Sequence, residues 1–168
     1  MSLKNLRTVR HAKSDIADNI EYLPWLQDLV YQDIFAISGY FKAYKLIPNQ
    51  HLFEEGSIDA YMVIVIKGKI NIVKETSGTE PQVITVMRSG KVFGELSLLD
   101  GGPRSASAIA QTDAVIYGLS EENFSKMQDE NPRLALILVS KISRIISQRL
   151  RQTTGLWVEL LDSIEEKK

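Results

Sequence analysis

The chain has 168 residues, with 20 lysines and arginines against 21 aspartates and glutamates, so its formal net charge at neutral pH is −1. This balance excludes a basic field spread over the whole protein. A hydrophobic fraction of 44% and a charged fraction of 24% indicate one globular domain with at most a short appendage. Cysteine is absent, which excludes a disulfide framework, a thiolate zinc site and a cysteine nucleophile.

Metal sites and membrane segments are also not expected. The two histidines, His11 and His51, are too few for most metalloenzyme sites, so we predict neither a metal nor a cofactor. No apolar run follows the charged first residues, so no signal peptide is predicted. The longest apolar stretch outside the strands, residues 134–139, is far shorter than the roughly 20 residues that a membrane helix needs. We therefore expect a cytoplasmic protein without a transmembrane segment.

Hydrophobic periodicity divides the chain into three parts, residues 1–42, 43–119 and 120–168. In the first part helical spacing extends over residues 6–41, and Pro24 indicates two or three short helices rather than one. In the second part, short β-branched and aromatic runs alternate with glycines, which predicts an antiparallel jelly roll (a double-stranded β-helix). The predicted strands include residues 61–66, 70–74, 83–87, 107–110 and 115–119. The expected fold is thus mainly β, with N-terminal helices and a long C-terminal helix.

The third part predicts two helices. Ser120 is a suitable N-cap for the first, and Asn131-Pro132 begins a second that extends to Thr153 or beyond. The second helix is rich in basic residues, which indicate either a solvated face or a surface for nucleic acid or anionic membrane; they are Arg133, Lys141, Arg144, Arg149 and Arg151. Its apolar positions approximate a heptad seam and predict a homodimer through this helix, although part of the seam must also cover the jelly roll; they are Leu138, Ile142, Ile145 and Leu150.

The segment that carries chemistry is residues 93–106, Phe-Gly-Glu-Leu-Ser-Leu-Leu-Asp-Gly-Gly-Pro-Arg-Ser-Ala. Gly94 permits a backbone conformation that other residues resist, and residues 95–99 predict a short helix whose first amides lack partners. Pro103 stiffens the approach to Arg104 after a glycine turn. An arginine fork with backbone amides suits a phosphate, and the carboxylate of Glu95 suits a sugar hydroxyl. The implied ligand is a phosphorylated sugar with one modest negative charge.

These residues resemble the phosphate-binding cassette of the cyclic nucleotide-binding domain family, which includes the catabolite activator protein and the regulatory subunits of cyclic-AMP-dependent protein kinase. A second block, Phe-Glu-Glu-Gly-Ser at residues 53–57 followed by the strand from Tyr61, is similar to the family's preceding strand and turn. The resemblance covers roughly residues 26–154. It implies that Glu95 takes the ribose 2′-hydroxyl and that Arg104 and Ser105 take the cyclic phosphate. The ligand-binding residues that it implies are Phe93, Gly94, Glu95, Leu96, Ser97, Pro103, Arg104, Ser105, Ala106, Thr153 and Thr154.

The resemblance has two departures. Residues 149–154, Arg-Leu-Arg-Gln-Thr-Thr, are similar to the stretch with which the catabolite activator protein contacts the base, but the helix is about one turn longer before this motif. The register of Thr153 and Thr154 therefore differs from that of the family's base contacts. Residues 155–168 are too few for the helix-turn-helix domain of the family's transcription factors, so we expect no direct sequence-specific DNA binding.

The sequence is compatible with three functions. The first is a non-enzymatic sensor of cyclic AMP, with cyclic GMP left open because the hydroxyl of Ser105 does not settle the base preference. It would act on an unknown effector protein, and the chain could be a module of a larger protein. The second is a degenerate family member used for dimerisation or docking, in which Glu95 is only a helix-end carboxylate and Arg104 only a surface ion-pair partner. The third is a metal-dependent cupin enzyme, which the shortage of histidines disfavours.

Overall fold

The structure is a computed structural model that describes residues 3–76, 78 and 80–165. A 3-10 helix (Leu3–Asn5) precedes nine strands and five α-helices in this part of the chain. The strands are β1 (Arg7–Val9), β2 (Lys42–Leu46), β3 (His51–Phe53), β4 (Tyr61–Lys67), β5 (Ile70–Lys74), β6 (Gln82–Met87), β7 (Val92–Phe93), β8 (Ser107–Ala110) and β9 (Ala114–Ser120). The helices are α1 (Lys13–Ile20), α2 (Tyr31–Ser38), α3 (Glu95–Asp100), α4 (Glu121–Glu130) and α5 (Pro132–Glu165).

The strands form two antiparallel sheets that face each other. One sheet has the order β1-β2-β9-β4-β7, and the other has the order β3-β8-β5-β6. β4 lies between β9 and β7, and its residues 61–65 are all buried, because one face meets the second sheet and the other meets the helices. The predicted jelly-roll fold with flanking helices is confirmed.

The N-terminal part is less helical than predicted. Residues 7–9 form β1, an edge strand that pairs with β2, so the helical expectation is wrong there. Successive three-residue turns, with Leu26 N–H donating to Leu23 O at 2.8 Å, occupy the stretch around Pro24, and helix resumes only at Tyr31. Because β1 joins the core sheet, the boundary proposed at residue 42 is crossed by backbone pairing, and the three-part division of the chain stays a prediction.

Both predicted helix caps in the C-terminal part are confirmed. The hydroxyl of Ser120 accepts a hydrogen bond from the amide of Asn123 at 3.2 Å. The side-chain oxygen of Asn131 accepts one from the amide of Leu134 at 3.2 Å. Each cap satisfies an amide that has no partner within its own helix, and α5 then continues for 34 residues.

The first half of α5 is fixed to the body of the domain. Leu138 and Ile142 are fully buried in the core cluster that α5 shares with α2 and α4, so these two positions of the predicted dimer seam are occupied within the chain. Lys141 pairs with Asp28 and lowers the pKa of that carboxyl. Arg133 donates two hydrogen bonds to the carboxylate of Asp33, at 2.9 and 3.1 Å. These basic side chains therefore serve intramolecular ion pairs.

The second half of α5 leaves the body of the domain. From residue 150 onward its apolar side chains are exposed, and we call this segment, residues 150–165, the distal helix. Its exposed apolar residues are Leu150, Leu156, Trp157, Val158, Leu160, Leu161 and Ile164. Within the described residues no helix has the length and apolar character needed to cross a membrane.

Candidate functional site

Residues 93–106 form a compact loop between the two sheets, which we call the cassette. β7 ends at Phe93, and Gly94 turns the chain at a φ of 76° into α3. Gly101, at a φ of 67°, ends the helix, and the chain then runs through Pro103 and Arg104 to β8. Positive φ is costly for residues with a Cβ, so the glycines at both ends set the position of this short helix.

Arg104 is the centre of the site. Its side chain is buried, with the residue only 3% exposed. Its Nη1 donates to the carbonyl oxygens of Tyr61 at 2.9 Å and Gly94 at 2.8 Å. The guanidinium carbon lies 4.1 Å from the ring centre of Phe53 and 4.2 Å from that of Tyr61. Burial lowers the pKa of Arg104, but an arginine begins so far above neutrality that it stays charged.

The two aromatic rings hold the arginine by cation–π contact, which gains strength where water is excluded. The hydroxyl of Tyr61 donates to the carbonyl of Leu52 at 2.6 Å, and burial raises its pKa, so it stays a neutral phenol. Phe53 and Tyr61 were not predicted from the sequence to contact Arg104. Phe53 lies directly before the Glu-Glu-Gly-Ser turn, and Tyr61 begins the strand after it. These two aromatic residues on either side of the turn are the sequence feature that could have indicated the contact.

The decisive feature is a set of buried polar atoms that no protein group satisfies. Within the described part of the chain, Nε and Nη2 of Arg104 and Oε2 of Glu95 have no hydrogen-bond partner. Glu95 is only 2% exposed. A buried donor or acceptor without a partner costs about 1–3 kcal/mol, and more when it is charged. These atoms are therefore available to a molecule that supplies an acceptor to the arginine and a donor to the carboxylate.

The side chains of Arg104 and Glu95 line one cavity. Eight predicted site residues lie around it: Phe93, Gly94, Glu95, Leu96, Ser97, Arg104, Ser105 and Ala106. Four further residues complete the wall, and sequence analysis did not predict them as ligand contacts: Phe53, Ile72, Met87 and Arg149. Pro103, Thr153 and Thr154 are not among the lining residues.

Arg149 connects α5 to the cassette. Its Nη1 donates to Oε1 of Glu95 at 2.6 Å, and its Nη2 donates to the carbonyl of Val92. Arg149 belongs to the helix motif at residues 149–154, but the resemblance implied base contacts for Thr153 and Thr154 only. Both threonines are exposed instead, and the hydroxyl of Thr154 donates to the carbonyl of Leu150 at 2.9 Å. The residue of α5 that reaches the cavity is thus the arginine one turn earlier.

Among the described residues, no three histidine, aspartate or glutamate side chains are placed to hold a metal ion. The charged groups of the cavity are one carboxylate and two guanidiniums. This combination suits the binding of an anion with hydroxyl groups.

The close packing at Gly94 makes a stability prediction. An added Cβ would lie 2.9 Å from both Nη1 of Arg104 and the carbonyl oxygen of Tyr61. Gly101 has a similar positive φ, but an added Cβ there would meet nothing within 4 Å. Gly101→Ala should therefore lower the free energy of unfolding by about 1–2 kcal/mol, which is the cost of a left-handed conformation for alanine. Gly94→Ala should lower it by about 1–3 kcal/mol more, because the added Cβ also crowds the side chain of Arg104.

Urea unfolding of the two alanine variants and the parent measures this difference. An equal loss of unfolding free energy in the two variants would contradict the close approach of Arg104 to Gly94.

The comparisons with known proteins agree with this geometry. The sequence model of the family described as "Cyclic nucleotide-binding domain" matches residues 45–131, which is 87 of the 168 residues. The chain is 27% identical over 145 residues to the "Cyclic AMP receptor protein" of Thermus thermophilus, covering 86% of this chain and 64% of that protein. It is also 27% identical over 115 residues to the "CRP-like cAMP-activated global transcriptional regulator" of Mycobacterium tuberculosis, covering 68% and 50%. The chain thus spans less than two thirds of the length of these relatives.

Solved structures show the same architecture. A cyclic nucleotide-binding domain from Methylobacillus flagellatus superposes with a TM-score of 0.73 at 22% identity, over 83% of this chain and 79% of that chain. The catabolite activator protein of Thermus thermophilus superposes with a TM-score of 0.72 at 25% identity, over 83% and 63%. Fold, cassette and family match agree, and the chain belongs to the cyclic nucleotide-binding domain family.

Proposed function

We propose that this chain is a non-enzymatic sensor that binds a cyclic nucleotide, with cyclic AMP as the first candidate ligand. The observation that carries the proposal is the unsatisfied buried edge of Arg104, together with the free oxygen of Glu95 in the same cavity. The printed names of the two curated relatives, which are a cyclic AMP receptor and a cyclic-AMP-activated regulator, support this ligand class. The hydroxyl of Ser105 leaves cyclic GMP open as an alternative.

The proposed position of the ligand follows from the unpaired donors of Arg104 and the unpaired oxygen of Glu95. Nε and Nη2 of Arg104 lie on one side of the planar guanidinium, so they can donate in parallel to two oxygens of the cyclic phosphate. The hydroxyl of Ser105 and the amides of the cassette would complete the phosphate site. The remaining oxygen of Glu95 would accept a hydrogen bond from the ribose 2′-hydroxyl. The apolar side chains of Ile72 and Met87 offer a surface for the rest of the nucleoside.

A degenerate site is the less favoured alternative. A domain that only docks to proteins gains nothing from a buried guanidinium with two donors unused. Replacing a buried ion pair by well-packed apolar side chains is often neutral or stabilising. The retained Arg104 and Glu95 are consistent with a ligand that uses them.

The proposed output passes through α5. Arg149 joins this helix to Glu95, which is the carboxylate assigned to the ribose. A ligand that changes the surroundings of Glu95 therefore changes the balance of contacts that hold α5 to the cassette. We propose that an effector protein detects this change through the distal helix. A cytoplasmic location and the lack of direct DNA recognition stay predictions from the sequence.

We further propose a homodimer through the distal helix. Leu150, Trp157 and Ile164 recur every seven residues, with Leu160 and Leu161 between the last two, which is the spacing of a coiled-coil seam. All five are about half exposed or more in the single chain. The proposed seam begins later in α5 than the sequence predicted, because Leu138 and Ile142 are buried in the core.

Light scattering coupled to size exclusion tests the dimer. We expect the parent to elute as a dimer and Trp157→Glu as a monomer, because a charge in the seam is buried without a partner. Leu136 is 67% exposed on the first half of α5, against 60% for Trp157, so Leu136→Glu is the matched control and should stay dimeric. A monomeric parent at high concentration would contradict the proposal.

Calorimetric titration of the purified chain with cyclic AMP, cyclic GMP and 5′-AMP tests the binding function itself. We expect saturable binding of one cyclic nucleotide per chain. 5′-AMP should bind at least about tenfold more weakly, because its phosphate carries a second charge that must leave water while Arg149 is already paired with Glu95. The absence of binding heat from either cyclic nucleotide at any temperature would overturn the proposed function.

A further inference from the structure

Lys74, at the end of β5, contacts the cassette from outside the cavity. Its ammonium group donates to a carboxylate oxygen of Glu55 at 2.5 Å and to the carbonyl oxygen of Ser105 at 2.8 Å. Neither Lys74 nor Glu55 is among the residues that line the cavity, whereas Ser105 is. Any influence of Lys74 on a ligand is therefore indirect and passes through Ser105.

The carboxylate that holds Lys74 is itself fixed. The second oxygen of Glu55 accepts from the amide of Glu75 at 3.1 Å, and the amide of Glu55 donates to the hydroxyl of Ser107 at 2.9 Å. The hydrogen bond from Lys74 lowers the pKa of Glu55, so the pair is ionised at neutral pH. The ammonium group is thus held in one position relative to the strand that follows the cassette.

The next residues of the same turn hold the main chain of Arg104. The amide of Gly56 donates to the carbonyl of Arg104, and the amide of Arg104 donates to the carbonyl of Ser57, both at 2.8 Å. The carbonyls of the two successive residues 104 and 105 are therefore both held, the first by the amide of Gly56 and the second by the ammonium group of Lys74. In a trans peptide the carbonyl and the following amide point in opposite directions. The amide of Ala106 therefore points away from Lys74.

We propose that Lys74 is a positioning residue for phosphate binding. Lys74 holds the carbonyl of Ser105 on the side that faces away from the cavity. The amide of Ala106 and the side chain of Ser105 are then turned towards the cavity, which both residues line. The inference rests on the proposed function, since it assigns the phosphate end of the ligand to this side of the cavity. Lys74 acts without touching the ligand.

The test compares Lys74→Met, which keeps most of the stem but removes the donor, with Lys74→Arg, which can donate to both partners. Calorimetry with cyclic AMP should give a Kd about three- to thirtyfold higher for Lys74→Met. Lys74→Arg should lie within about threefold of the parent. Lys126→Met removes the same charge from an exposed site on α4 and should leave the Kd unchanged, which separates positioning from long-range attraction.

A second readout follows the Ala106 amide by ¹⁵N NMR at saturating cyclic AMP. Its downfield shift on binding should shrink in Lys74→Met and return in Lys74→Arg, which a general loss of stability would not produce. If Lys74→Met does not fold, Glu55→Gln decides, with an expected two- to tenfold rise in Kd from a weakened hold on the ammonium. A parent that binds no cyclic nucleotide overturns the proposed function. A parent that binds while the variants bind equally well overturns only the role of Lys74.

Discussion

Arg104→Ala is expected to weaken cyclic AMP binding by about ten- to several-hundredfold. Hydrogen bonds to charged groups contribute about 1.5–3 kcal/mol, and each 1.4 kcal/mol corresponds to a factor of ten in affinity. The upper end is favoured because the guanidinium is buried between two rings and its free edge is removed from water. Titration calorimetry of variant and parent measures the ratio.

The same substitution should also cost stability, which has to be measured separately. Alanine leaves the carbonyls of Tyr61 and Gly94 without the donor they have now and opens a space between two aromatic rings. A loss of about 1–3 kcal/mol in unfolding free energy is expected, so binding is compared at a temperature where both proteins are folded. The burial of the Arg104 side chain is the reason for this added cost.

Arg104→Lys is the control for charge alone. Lysine keeps the positive charge but has no planar fork, so only part of the affinity should return. A folded Arg104→Ala that binds cyclic AMP as tightly as the parent would show that the cassette assignment is wrong.

Arg149→Met is expected to destabilise the domain by about 2–3 kcal/mol. It leaves the buried carboxylate of Glu95 without its cation and the carbonyl of Val92 without a donor. Breaking a fully buried ion pair costs about 3–5 kcal/mol. We expect a smaller loss here because the side chain of Arg149 is 35% exposed and water screens its charge. Urea unfolding measures the loss.

A double-mutant cycle makes this prediction specific. In the presence of Arg149, Glu95→Gln should destabilise the protein because it removes the ion pair. In the Arg149→Met background, the same change should stabilise it by about 1–2 kcal/mol, because it removes a buried charge that has lost its partner. Simple additivity of the two changes would contradict the structural role given to this pair. For cyclic AMP binding, Glu95→Gln should cost less than Arg104→Ala, since an amide oxygen can still accept from the ribose hydroxyl.

Local features of the chain were predictable from the sequence. The residues of the cassette are consecutive in the chain. Its conformation is therefore determined locally, by the glycines at both ends of the short helix and by the proline that follows it. The caps at Ser120 and Asn131 are also local, because each side chain contacts an amide three residues later. Strand β4 was predictable because an apolar run too short for a helix lies between glycine turns.

Contacts between distant segments were not predictable in the same way. The rings that hold Arg104 come from strands 51 and 43 residues earlier in the chain, and Arg149 reaches Glu95 across 54 positions. An edge strand of three residues such as β1 has no periodicity that distinguishes it from a helix end. The heptad-like stripe of α5 could not show that its first positions are covered by α2 and α4, because these contacts depend on the fold.

The central claim is that the free edge of Arg104 takes the cyclic phosphate, and side-chain NMR tests it most directly. In a ¹⁵N-labelled protein the Nε–H resonance of Arg104 is assigned by its loss in Arg104→Lys. On titration with cyclic AMP we expect this resonance to shift downfield and saturate with the same Kd as calorimetry gives. Adenosine, which lacks the phosphate, should leave it in place. Saturable binding of cyclic AMP with no change at the Arg104 Nε–H would contradict the account.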